Sequence, residues 1–388
     1  MQRYYFDHNA TTPVSPAVLA AMVPCLGEVY GNASSIHHFG QMAKQQLEQA
    51  RRQAATLIHC GPQEIVFVSG GTEADNLALL GAVRAFNKRD KHVVTTAIEH
   101  PAVLNTCAQL EREGVAVTYV PAGIDGVVEV DEVRRAVRSS TVLVSVMHAN
   151  NELGTVQPIA EISRITRAAG VALHVDGVQA LGKLPVDVYA LGVDLYSMSG
   201  HKIYAPKGVG ALFVRKGALI GSILFGGHHE RDRRPGTENV PGAVAFGHAA
   251  ECAGSDLDAE SARLAALRDR LEQGILARID SAGVNGALAN RTPNTTNIYF
   301  EGIEGEALVI ALDLRGFAVS SGAACSSGAV EPSHVLLAIG LPPERARASI
   351  RFSLGRTNTA EQVDALIDAV AESVKHLRKI SPVVPAHA

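Results

Sequence analysis

Seven short apolar runs punctuate the first two-thirds of the chain: residues 64–68, 92–95, 115–120, 141–147, 171–175, 193–198 and 210–214. Stretches of helical spacing lie among them. Gln41 to Ile58 carries Met42, Leu47, Ala50, Ala54 and Leu57 on one face, and Thr72 to Phe86 and Ala102 to Glu113 follow the same period. Strands that are apolar on both faces and alternate with helices predict a mostly parallel sheet covered on both sides. From about Asp256 the pattern changes. A long helix runs through Leu264, Leu267, Leu271 and Ile275, followed by strand-like residues 296–300, a helix over 306–314, strand-like residues 348–353 and a helix over 359–377. This predicts a smaller α+β domain. The expected division is a large domain over residues 14–255, a small one built from 1–13 and 256–380, and a mobile tail over 381–388 with Pro382 and Pro385.

Composition supports a large core, since 47% of the 388 residues are hydrophobic and 19% charged. The formal charge of -4 leaves no basic footprint for nucleic acid. No apolar run reaches the length of a membrane span, and Met1 to Asp7 lacks the apolar segment of a signal peptide, so a cytoplasmic protein is expected. The cysteines are Cys25, Cys60, Cys107, Cys252 and Cys325, an odd number at wide spacing. Neither a disulfide framework nor a structural metal site is expected. Cys25, Cys107 and Cys252 sit in helical patterns and read as core residues.

The chemistry gathers where apolar runs end. Ser199-Gly200-His201-Lys202 closes one run. A lysine so placed can condense with an aldehyde cofactor, of which pyridoxal phosphate is the commonest. That cofactor also needs a phosphate cup, an acid at its pyridine nitrogen and a flat group over its ring. Ser69-Gly70-Gly71-Thr72-Glu73 follows a strand and opens a helix, which makes either an anion cup or an ordinary turn capped by Thr72. Asp176, in His174-Val175-Asp176-Gly177-Val178-Gln179, ends another strand and either holds the pyridine nitrogen or caps the next segment, with Gln179 near enough to reach the ring hydroxyl. His100, in Glu99-His100-Pro101, either stacks on the ring and moves protons or is structural. His148-Ala149-Asn150-Asn151-Glu152 brings amides to the same edge. Arg351 lies in a strand of the second domain and either binds a substrate carboxylate in a two-pronged contact or makes a structural ion pair. Asn9 and Asn32 lie in turn-rich N-terminal segments and are candidates for substrate contact. Cys325 sits among small residues 320–328, in a loop suited to a nucleophile that must visit a buried site and leave it.

Together these residues resemble the cysteine desulfurases of the NifS/IscS type. The resemblance runs from Asp7-His8-Asn9-Ala10-Thr11-Thr12-Pro13 to Ile350-Arg351-Phe352-Ser353-Leu354-Gly355-Arg356, and includes Arg234-Pro235-Gly236-Thr237-Glu238-Asn239. Pro235 and Ala33 depart from the family's usual residues without removing a group the chemistry needs. The resemblance implies the aspartate-aminotransferase-like fold of pyridoxal-phosphate transferases, with a seven-stranded, mostly parallel sheet. It implies that Lys202 carries the cofactor covalently, and that Gly71, Thr72, Ser199 and His201 hold the phosphate with Thr237 of a neighbouring subunit. Asp176 then pairs with the pyridine nitrogen, and Gln179 and Asn151 contact the ring-oxygen side. His100 stacks and relays protons, with Asn9, Asn32 and Arg351 on the substrate.

L-cysteine would displace Lys202, the freed amine would take the α-proton, and the Cys325 thiolate would attack the substrate sulfur. The products are a Cys325 persulfide and L-alanine. A shared site implies a homodimer, and the persulfide implies sulfur-acceptor proteins such as an iron–sulfur scaffold. Cys325 could there share a transient [2Fe-2S] cluster, with no intrinsic metal. Selenocysteine lyase is the nearest rival reading. A small-substrate aminotransferase needs no thiol at position 325, a non-catalytic sulfur-carrier platform would not need Lys202 and Asp176, and a dinucleotide oxidoreductase lacks G-x-G-x-x-G.

Overall fold

The computed structural model describes residues 2–87, 90–322 and 331–380. Cys325 and the tail 381–388 lie outside the described residues. The seven apolar runs form one sheet: β1 (Ile65–Val68), β2 (His92–Thr96), β3 (Ala116–Val120), β4 (Thr141–Met147), β5 (Ala172–Asp176), β6 (Leu195–Ser199) and β7 (Gly210–Val214), in the spatial order β1-β7-β6-β5-β4-β2-β3. All pairings are parallel except those of β7, which runs antiparallel to β1 and β6.

The continuous apolar runs are explained by alternation between two covered faces. Ile65, Phe67, Val94, Val175, Tyr196, Met198 and Phe213 point into one core. Val66, Val68, Val93, Leu195, Leu212 and Val214 point into the other. At about 25 cal/mol per Å² of apolar surface, burial on both faces makes this sheet the main stabilising layer. The helices Gly71–Ala85, Pro101–Arg112, Ile159–Ala169 and Val240–Ser255 belong to its coverings. The observed bounds lie within about three residues of the expected ones, the usual scatter at frayed ends. Cys25 and Cys107 are buried, whereas Cys252 is only partly so, because it lies on the outer side of the helix Val240–Ser255.

A separate core surrounds a second, antiparallel sheet of β8 (Ala282–Val284), β9 (Thr295–Phe300) and β10 (Ser349–Ser353). Ile298, Phe300, Ile350 and Phe352 pack there against the helices Leu257–Leu276 and Ala360–Ile380. The N-terminal segment is knitted to this sheet. Tyr4–Tyr5 pairs in parallel with Phe317–Ala318, and Asp7 bridges to Ser353. Residues 9–12 then reach back to β6, where the Thr12 N–H donates to the His201 carbonyl at 2.9 Å. Among the described residues, no helix is long and apolar enough to cross a membrane.

Candidate active site

The strand register brings the chemistry to one edge. Asp176 pairs in register with Met147 of β4 and Ser197 of β6, so β4 and β5 end level and β6 runs two residues further. Their C-terminal ends, the start of the helix Gly71–Ala85 and the N-terminal segment enclose a cavity of about 430 Å³. Gly71 needs to be small, because a Cβ there would lie 2.9 Å from Val178 Cγ2. Gly177 is under stronger constraint, since a Cβ would fall 2.0 Å from the ring of the buried Tyr196.

Lys202 lies in a single turn of 3₁₀-helix after β6. Its Nζ donates to the Asn9 carbonyl, and to the Ala10 carbonyl at 2.8 Å. Burial, and then the charge of Arg351, lower its amine to about 8, so at mildly alkaline pH it is an available nucleophile. Asp176 is 6% exposed and accepts from the Val178 N–H at 3.0 Å. Burial raises its carboxyl above the usual range, against the pull of His100. Among the described residues no cationic side chain is ion-paired with it. Ser199 Oγ is buried beside Gly71 without a hydrogen-bond partner among the described residues.

His100 caps the helix Pro101–Arg112, its Nδ1 accepting from the Ala102 N–H at 3.1 Å, and its ring stands at the cavity wall. Desolvation lowers its pKa, partly offset by Asp176, which leaves a neutral imidazole able to give and take protons. Thr72 and His201 line the same cavity, and His201 Nδ1 lies 3.1 Å from Thr11 Oγ1. Asn151 and Gln179 line it too. Gln179 Nε2 donates to the Asn9 carbonyl at 3.0 Å.

Arg351 makes the structural ion pair that was one of its two readings, at a place open to a ligand. It lines the cavity, and its Nη2 forms an ion pair with Asp7 at 2.6 Å while Nη1 donates to the Asn151 carbonyl at 3.2 Å. Asn9 lines the cavity but spends its side chain on the frame, with Nδ2 donating to Thr295 Oγ1 at 2.8 Å and to the Asn151 carbonyl at 3.0 Å. Asn32 is exposed outside the cavity lining, where its Oδ1 accepts from the Ser34 N–H, away from the cavity formed by the described residues of its own chain. Thr237 is likewise exposed and outside the cavity of its own chain. Ser320 and Gly322 line the cavity just before the segment that contains Cys325.

Three groups escaped the sequence reading. Asp75 lines the cavity as a buried carboxyl, held well above its usual range by burial and by Asp176. His174 sits beneath Asp176 between Ser145 and Ser197, at 2.8 and 2.9 Å, and burial lowers it to about 3. Lys183 reaches Gln179. A polar residue four positions from Gln179, amid apolar neighbours, was the available signal for Lys183.

A buried carboxylate without a cationic partner and a hydroxyl beside a glycine-opened helix without a hydrogen-bond partner, in each case among the described residues, and an amine of lowered pKa face one cavity. This donor set fits pyridoxal phosphate: a protonated pyridine nitrogen for Asp176, a phosphate for the helix end and Ser199, and an aldehyde for Lys202. Among the described residues there is no cluster of three or more side chains able to hold a metal ion.

Comparisons with known proteins agree with this chemistry. Residues 4–366 match the family described as aminotransferase class-V. The chain is 48% identical over 382 residues to a cysteine desulfurase of Nostoc sp., covering 98% of this chain and 95% of that protein. A solved NifS-like protein superposes with a TM-score of 0.91 at 38% identity, covering 97% of this chain and 100% of that one. A structure of SspA in complex with cysteine matches at a TM-score of 0.81 and 36% identity, over 90% of this chain and 98% of that one.

Proposed function

The chain belongs to the class-V aminotransferases and, within them, to the cysteine desulfurases, and on that premise we propose that it removes sulfur from L-cysteine to give L-alanine. The carrying observation is the convergence of Lys202, Asp176 and His100 on one cavity. Bound pyridoxal phosphate supplies a sink for the electron pair left on the substrate α-carbon. Lys202 holds the cofactor, and its freed amine takes the α-proton. Asp176 keeps the pyridine nitrogen protonated. Gly71, Thr72, Ser199 and His201 hold the phosphate, and Gln179 and Asn151 face the ring oxygen. His100 stacks on the ring and returns protons. Arg351 binds the substrate carboxylate while Asp7 and the Asn151 carbonyl orient it, and Asn9 braces that wall. The Cys325 thiolate attacks the substrate sulfur. The sulfur–carbon bond breaks with its electron pair left on carbon, which takes a proton, and the sulfur remains on Cys325 as a persulfide.

The reading extends to a homodimer with sites completed across subunits by Thr237, with Asn32 also close to the partner. It is supported by the exposure of Thr237 and Asn32 outside their own cavity and by nearly bare apolar side chains at Ile36 (94%) and Phe225 (93%). The cofactor would lie between a large domain over residues 14–255 and a small one over 1–13 with 256–380. By family resemblance, the persulfide passes in the cytoplasm to an acceptor such as an iron–sulfur scaffold, with Cys325 transiently sharing a [2Fe-2S] cluster. The test is an alanine assay with L-cysteine and L-selenocysteine on wild type and Cys325→Ser. Alanine from cysteine that is lost in Cys325→Ser supports the proposal. Full cysteine turnover by Cys325→Ser removes Cys325 from the mechanism. Turnover of selenocysteine alone makes the enzyme a selenocysteine lyase.

A further inference from the structure

One buried titratable side chain at this site has no task in the chemistry above. Lys183 is 9% exposed, and burial, then the charges of Lys202 and Arg351, hold its amine well below the ordinary lysine range. Its Nζ donates to Gln179 Oε1 at 2.6 Å and to Asn9 Oδ1 at 3.3 Å. Both contacts are to oxygens, so both use the amine's hydrogens. The other end of the same amide is also engaged, because Gln179 Nε2 donates to the Asn9 carbonyl, which accepts from Lys202 as well.

A glutamine amide can present either its oxygen or its NH2 to a cavity, and only the surrounding hydrogen bonds choose. Here Lys183 captures the oxygen, and one Nε2 hydrogen goes to Asn9. The hydrogen left over is the one available to the cavity that Gln179 lines. The reversed amide would set its NH2 against Nζ and its oxygen against a carbonyl oxygen. We propose that Lys183 is a positioning residue that fixes the orientation of Gln179, so that Gln179 donates an N–H to the cofactor's ring oxygen and does not turn its own oxygen toward it. Through Asn9 the same amine braces the carbonyl that receives Lys202. The inference rests on the reading of Lys202 as the pyridoxal phosphate anchor.

The titratable and charged groups facing Lys183 are His8 from the N-terminal segment, His201, Lys202 and Tyr204 from the turn after β6, and Arg351 and Arg356 from β10 and the residues after it. Glu260 reaches the chamber of about 30 Å³ behind Lys183, but its carboxylate is paired with Arg263 at 2.8 Å. Among the described residues no carboxylate is ion-paired with Lys183. Among the described residues its side-chain acceptors are the amide oxygens of Gln179 and Asn9.

The experiment is a pH titration of the visible absorbance band of the holoenzyme in a double-mutant cycle of Lys183→Met and Gln179→Ala. A contact worth one hydrogen bond moves the midpoint by about 0.5–1 pH unit. Both single variants should move it in the same direction by similar amounts, and the double variant no further than Gln179→Ala alone, because Lys183 acts through Gln179. If Lys183→Met does not accumulate as folded protein, Lys183→Ala carries the same expectation. A wild-type midpoint in the donorless variant, or fully additive shifts in the double variant, overturns the proposal. A wild-type holoenzyme with no visible band would overturn the cofactor reading together with this one, which separates the two failures.

Discussion

The two polar walls of the cavity are built on different principles. On one side, Thr72, His100, Asp176, Ser199 and Lys202 stand where parallel strands end and helices or turns begin. Topology places them, since the carboxyl ends of a parallel sheet share one crevice. On the other side, Arg351 comes from the middle of an antiparallel strand. Ile350 and Phe352 are both fully buried in the second core, so the period of two turns Arg351 to the opposite face. The first wall needs its parallel strands to end within a residue or two of one another. The second depends on register, and Arg351 is further held by Asp7 and Asn151.

The comparison predicts that the parallel-sheet wall governs the chemical step and the antiparallel wall governs substrate affinity. Lys202→Ala should reduce alanine formation at least about a thousandfold and abolish the visible band, as loss of a covalent anchor and a base requires. Asp176→Asn should lower kcat about a hundredfold or more, since a buried carboxylate opposite a protonated nitrogen is replaced by a neutral amide. Arg351→Met should act the other way, raising KM about ten- to a hundredfold with a smaller change in kcat, which steady-state kinetics would separate. A kcat loss in Arg351→Met as large as that in Asp176→Asn would break the division of labour.

The smallest effect concerns stability beneath the first wall. Glu99 is fully buried, and burial raises its carboxyl to about 8 despite hydrogen bonds from Thr96 and Met147. Its folded value lies above the unfolded one near 4.5, so its contribution is full below pH 4.5 and is lost as pH rises toward 8. Glu99→Gln does not titrate. Its urea midpoint should therefore gain on that of wild type as pH rises from 5 to 8, and a constant difference would contradict the assignment.

Much of the first wall is legible in the sequence, because a polar residue directly after an apolar run marks a strand end. Asp176 stands out that way at the end of its run, and Lys202 and His100 a few residues past theirs. The direction of β7 was not legible, since an apolar run carries no sign of which way it points. The helix Val240–Ser255 was legible only around Cys252, because Val240, Ala243, Ala245, Phe246 and Ala250 are all buried and blur the period through its first three turns. Asp75 and Lys183 were hidden for a related reason. Each is a polar group amid apolar neighbours, and only the folded contacts to Ser197, Gln179 and Asn9 reveal its place.

Two lysines of lowered pKa, the half-buried Lys202 and the buried Lys183, border the same network and have different work. Borohydride reduction of the holoenzyme, followed by peptide mass mapping, tests that assignment directly. The account predicts a phosphopyridoxyl group on the peptide containing Lys202 and an unmodified Lys183. Label on Lys183, or on neither lysine, would contradict it.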